Sequence, residues 1–134
     1  MSTWMRLALA VVIFGHAFIY IRIGATLPGA VKEWQGRSWL LGSRVTGSSL
    51  ATLVLVMHVL AGVLIMACAL AMGFAPSAPG WWPALAIAGA LLGIAAFAVF
   101  WDGQPRRLFE EGGIGAAVSA VLLVAALLFP TAFR

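Results

Sequence analysis

Apolar residues run along this chain in four long blocks, separated by stretches that hold nine of its twelve charged residues. The blocks cover about 4–25, 50–72, 82–101 and 113–129. Each is close to the ~20 residues that an α-helix needs to cross a ~30 Å hydrocarbon layer. Backbone N–H and C=O groups find no water in that layer, so a continuous apolar run must satisfy them internally, as helices do. Strands crossing a bilayer would alternate in polarity over segments of about ten residues, and no such alternation is visible. The pattern predicts an all-α, integral-membrane, antiparallel four-helix transmembrane bundle. It forms one domain over residues 1–134, and an even number of crossings puts both termini on the same side.

Composition supports that reading. The 134 residues are 63% hydrophobic and 9% charged, and the mean hydropathy is +1.07. A water-soluble domain carries about 25% charged residues. The N-terminal block, Arg6 followed by Leu7 to Ile21, resembles the start of a signal peptide. Tyr20 and Arg22 stand at its end without a clean small-residue cleavage site, so it reads as a retained first span. The single cysteine, Cys68, lies in an apolar run and permits no internal disulfide; it reads as a small hydrophobe.

The formal net charge is +4. Because the basic residues are distributed between membrane segments, they point to topology and lipid head groups and not to nucleic acid. Arg22, Lys32, Arg37, Arg44, Arg106 and Arg107 fall at one end of the predicted bundle, and only Arg6 and Arg134 at the other. Positive charge is retained in the cytoplasm, which predicts a multi-pass inner-membrane protein with N- and C-termini on the periplasmic side. Trp4, Trp81 and Trp82 then mark one interface, and Trp34, Trp39 and Trp101 the other.

The links differ in character. Residues 26–49 read as an interfacial link in which Val31, Trp34, Trp39, Leu40 and Leu41 interleave with Lys32, Glu33, Gln35 and Arg37. That suits a short helix lying in the interface, with Pro28-Gly29 ending the first span. The carboxylates, Glu33, Asp102, Glu110 and Glu111, join Arg22, Arg37, Arg106 and Arg107 in a cytoplasmic charged cap. The i, i+4 spacing of Glu33 with Arg37, Arg106 with Glu110 and Arg107 with Glu111 suits surface ion pairs. The alternatives for this cap are solvated charge or a vestibule for an anionic head group.

Two histidines are the residues most able to carry chemistry, since ionisable groups at membrane depth are costly. His16 lies about nine residues before the first span ends and His58 about eight after the second begins. At 1.5 Å per residue both should sit roughly 12–14 Å from the cytoplasmic end, so that adjacent antiparallel helices would carry them at one level. Tyr20, four residues beyond His16, shares its helix face. Three readings follow: bis-histidine ligation of haem b, a polar pocket for a quinone or small substrate, or histidines satisfied within the bundle. No cysteine or carboxylate neighbours either histidine to complete a zinc site. Small residues at Gly89 and Gly93, at Gly115 and Ser119, and at Ala116 and Ala120 suit close helix packing within the chain or, alternatively, a dimer interface.

The four-span layout, the Gly-rich second helix VLAGVLIMACALAMG and the short Pro-containing turn before the third together resemble the DoxX-like family of small membrane proteins. The resemblance implies a four-helix bundle and, for some members, quinone-coupled redox chemistry beside a partner subunit. It transfers no catalytic residue here, because His16 and His58 depart from the family's pattern and the second span lacks an acidic residue. The leading expectation is a small bacterial inner-membrane protein without catalysis of its own. It would hold a lipid, quinone or haem between the first two helices and assemble as a homo-oligomer or in a larger membrane complex. The alternatives are a redox protein using His16 and His58, and an oligomeric transporter or channel.

Overall fold

The computed structural model describes residues 2–30, 37–45, 47–74, 81–109 and 111–131, with backbone alone over 26–30. It contains four α-helices: α1 (Thr3–Ala30), α2 (Gly47–Phe74), α3 (Trp81–Phe100) and α4 (Gly113–Leu128). A single 3₁₀ turn, Pro105–Arg107, lies between α3 and α4. Three of the helices are long and apolar enough to cross a membrane; α4, at 16 residues, is shorter. At 1.5 Å per residue α4 reaches about 24 Å, less than the ~30 Å hydrocarbon layer, a mismatch that local bilayer thinning can absorb. The bundle presents large apolar side chains outward, among them Val11 (71% exposed) and Val121 (69% exposed). This suits lipid as the surrounding solvent.

Neighbouring helices run antiparallel, and glycines set how closely they approach. A Cβ on Gly24 would lie 2.7 Å from His58 Cβ, and one on Gly62 would lie 2.9 Å from the Ala17 carbonyl oxygen. Gly73 faces Ala10 and Leu7 near the other end of the same pair. Gly89 of α3 packs on Ile65 and Leu64 of α2. Without lipid-expelling force between helices, such close backbone approach supplies much of the association. Two buried clusters result. One holds Ala17, Tyr20, Ile65, Cys68, Met72, Ala86 and Leu122 along the bundle centre. The other holds Leu50, Val54, Val99 and Phe100 toward the charged end. Cys68 is fully buried in the first of these clusters, beside the Met72 sulfur, as a packing residue.

One sequence expectation changes. Helix α1 continues through Pro28 to Ala30 instead of stopping near residue 25. Proline is tolerated in membrane helices because surrounding groups re-satisfy the carbonyl it frees. In the first link, the described part is a tight turn and no helix: the Gly42 N–H donates to the Ser38 carbonyl at 2.8 Å, and Leu40 and Leu41 N–H both donate to Ser38 Oγ at 3.2 Å. The buried Ser38 hydroxyl thus organises the turn. Val31, Lys32, Glu33, Trp34 and Gln35 lie outside the described residues.

The turn is fastened to the end of α3. Trp39 N–H donates to the Trp101 carbonyl at 3.0 Å, and the two indoles meet edge to face at 5.7 Å. Trp101 in turn stacks on Phe97. Gly103, at φ +86°, takes a left-handed conformation open to glycine, and its bare Cα leaves room for Trp39.

Candidate functional site

The residues singled out above converge on Tyr20. It projects from α1 into the middle of the bundle, where it is 3% exposed. Its ring is received by two glycines. A Cβ on Gly93 of α3 would lie 2.6 Å from the Tyr20 hydroxyl, and one on Gly115 of α4 would touch the ring at 3.7 Å. The small-residue spacing on α3 and α4 therefore serves the chain's own core: Gly89 receives Ile65, and Gly93 and Gly115 receive Tyr20. Ala116 is partly buried and Ala120 exposed.

Ser119 closes the arrangement. It is fully buried, 2.9 Å from the Tyr20 hydroxyl and 3.2 Å from His16 Nε2. Both hydroxyl protons are used if Tyr20 donates to Ser119 Oγ and Ser119 donates to His16 Nε2. These bonds tie α1 to α4, two helices that otherwise touch little. His16 also meets Tyr20 edge to face, with ring centroids 5.1 Å apart. Removing the hydroxyl strands both partners, so Ser119→Ala is expected to destabilise the bundle by about 1–2 kcal/mol, at interhelical bond values measured in membranes. Unfolding titration in mixed micelles measures this; wild-type stability would show that the α1–α4 tie contributes nothing.

His58 approaches from the other side. Its Nδ1–H donates to the Val54 carbonyl of its own helix at 2.8 Å, and its ring packs against Tyr20 at 5.8 Å and edge to face against Phe100 at 6.1 Å. The residue is 1% exposed, and its Nε2 makes no hydrogen bond among the described residues.

The expectation of two histidines at one level does not hold. The α1–α2 register places His58 opposite Gly24, about eight residues from His16, or ~12 Å along the helix. Counting from the ends of apolar blocks misjudged this, because the register is chosen by where the glycines let the backbones approach. Tyr20 stands at the intermediate position and contacts both imidazoles. A haem iron between His16 and His58 does not fit: the ligands are offset by two turns, the phenol ring occupies the intervening space, and His16 Nε2 is already bonded to Ser119. Among the described residues, no group of three or more His, Cys, Asp or Glu gathers where it could hold a metal ion.

The charged cap is divided: Arg22, Arg37 and Arg106 are exposed, whereas Asp102 and Arg107 are half-buried and Glu111 is buried. Asp102 Oδ2 pairs with Arg107 Nη1 at 3.3 Å, and Asp102 Oδ1 accepts the Gln104 N–H at 2.8 Å. Glu111 is fully buried and accepts the Asp102 N–H through Oε2 at 3.1 Å. Arg107 thus reaches back to Asp102 across the turn. Residues 105–107 form a 3₁₀ turn, and the Glu111 N–H closes back on the Arg107 carbonyl at 2.9 Å. Glu33 and Glu110 lie outside the described residues. Arg22 lies on the last turns of α1, at the same end as Arg37, Arg44 and Arg106.

Sequence reasoning named two members of this architecture without their roles. Ser119 was visible only as half of a small-residue pair, and its hydroxyl carries a role that spacing alone cannot distinguish from packing. Glu111 sits beside Gly112 and Gly113 in a charged segment, and nothing local marks it as buried. Comparison of the chain with known protein families, with curated proteins and with solved structures gives no match.

Proposed function

We propose that this chain is a small accessory protein of the bacterial inner membrane, without catalysis of its own, which acts through its lipid-facing surface as part of a larger membrane assembly. The observation behind this reading is the position of Tyr20. The space that both histidines face is filled by the chain's own phenol ring, seated on Gly93 and Gly115 and bonded to Ser119. A buried polar network satisfied this way fixes which helices pair and in what register. The outward surface is apolar on all four helices, which suits lateral contact with lipid and with other spans. The resemblance of the layout to the DoxX-like family suits the same reading, since it implies, for some members, work beside a partner subunit.

The orientation follows from charge. Arg22, Arg37, Arg44, Arg106 and Arg107 share the end formed by the α1 C-terminus, the α2 N-terminus and the α3–α4 turn, so that end is cytoplasmic and both termini are periplasmic. Alkaline phosphatase fused after Arg134 is therefore expected to be active and green fluorescent protein at the same place dark. The reverse pair of results would invert the topology.

A second reading is favoured by His58 Nε2. A bare acceptor nitrogen in the bundle core suits a ligand hydroxyl, such as that of a quinol, entering from the side of Phe100. The two readings part on one experiment. In native membranes solubilised in mild detergent, the accessory reading expects the chain to migrate well above its own micelle, with His58→Ala leaving that migration and the purified protein's inertness toward quinol analogues unchanged. Quinol binding by the purified chain that His58→Ala abolishes would reject the accessory reading in favour of the ligand site.

A further inference from the structure

The charged end carries a recess that the polar core does not use. It has a volume of about 550 Å³ and is lined by Arg37, Ser38, Trp39, Gly42, Ser43 and Asp102, within the ~300–1,000 Å³ range of small-molecule sites. It lies between the turn after α1 and the end of α3, two segments held in place by the Trp39–Trp101 contact. Its walls are therefore built by tertiary structure and not by one flexible loop.

Among the described residues, the charges around it are unbalanced. Asp102 has both oxygens engaged, Oδ2 with Arg107 and Oδ1 with the Gln104 N–H, so its negative charge is already compensated. Arg37, Arg44 and Arg106, by contrast, have no ion pair and no side-chain hydrogen bond among the described residues. Arg37 lines the recess, and Arg44 follows Ser43 in the same turn. A guanidinium and a neighbouring hydroxyl, that of Ser43, neither bonded to another side chain among the described residues, are a donor set suited to a phosphate. Depth points to the source of that phosphate. Trp39 (52% exposed) and Leu40 (54% exposed) stand outward on the same turn, the placement of side chains that anchor at the head-group level.

We propose that this recess binds the phosphate of an anionic phospholipid in the leaflet at the charged end, with Arg37 and Ser43 on the phosphate and Trp39 and Leu40 against the glycerol and upper acyl region. The site is independent of the histidines. It would attach a specific lipid to the joint between the first link and the α3–α4 turn, and so stabilise the folded bundle when that lipid is present.

The test uses the full chain in detergent micelles, with lipid-dependent thermal stability and native mass spectrometry as readouts. Phosphatidylglycerol is expected to raise the unfolding midpoint and to remain bound, whereas phosphatidylcholine is not. Arg37→Gln should weaken phosphatidylglycerol binding about fivefold, the factor corresponding to ~1 kcal/mol for one basic residue at a membrane surface. Ser43→Ala should weaken it about threefold, as the loss of one modest hydrogen bond does. Arg6→Gln, at the opposite end, should leave binding unchanged. Equal responses to the two lipids, or undiminished binding by both Arg37→Gln and Ser43→Ala, would overturn the proposal. Inorganic phosphate that matches the stabilisation and displaces the lipid would overturn the lipid assignment in favour of a soluble phosphate ligand.

Discussion

Replacing Gly62 with alanine is expected to lower the stability of the bundle by about 2–3 kcal/mol, near the upper end of what overpacking a tight interior usually costs. Gly62 sits where α2 crosses α1. A Cβ there would come within 2.6 Å of Ile21 Cγ1 and 2.9 Å of the Ala17 carbonyl oxygen. The Ile21 side chain could turn aside, but the Ala17 carbonyl belongs to the backbone of α1. Relief therefore requires the two helices to separate along the whole interface, including the Gly24–His58 approach. Gly15 offers the control. It lies on α1 with nothing near its Cα, so Gly15→Ala is expected to be neutral or to stabilise by up to ~1 kcal/mol through helix propensity. Denaturant titration of both variants in the same micelle decides the matter. Equal stability for the pair would mean that α1 and α2 are not packed on Gly62.

The second large effect is expected at Gly93. An alanine methyl there would lie 2.6 Å from the Tyr20 hydroxyl and 2.8 Å from Cζ. A long flexible side chain could swing away from such a contact. Tyr20 cannot do so without losing its bond to Ser119 and its packing on His16, His58 and Gly115. Gly93→Ala is therefore expected to cost about 1–3 kcal/mol. Shortening the residue in the way should recover part of it: Gly93→Ala combined with Tyr20→Leu should be less destabilised than the sum of the single changes, with a coupling of about 1 kcal/mol or more. Strict additivity would place Tyr20 away from Gly93 and remove the main support for the accessory reading. A recovery that also opens the core to a quinol analogue would identify the tyrosine as what fills that space.

These expectations bear on how the histidines are understood. Placing His16 and His58 on facing helices invites a shared ligand, and the sequence contains no sign that Tyr20 would stand between them. The tyrosine's spacing from His16 does predict a common face, and that face is buried. Its partners on α3 and α4 were not legible. Gly93 and Gly115 are ordinary members of small-residue motifs until a ring from another helix is found on them.

What the linear sequence determines is the solvent and the elements. Blocks of about 20 apolar residues leave the backbone no partners but its own, so helices follow from composition alone, as does their alternation in direction. Charge placement marks one end of the bundle by the same local logic. What only the tertiary structure decided is register and pairing: that His58 lies opposite Gly24, that Ser119 joins α4 to α1, that Arg107 turns back to Asp102 and that Glu111 is buried. In helices apolar on every side, hydrophobic periodicity names no inner face. The choice falls to close contacts at a few glycines and to two hydrogen bonds that join Ser119 to residues 99 and 103 positions away.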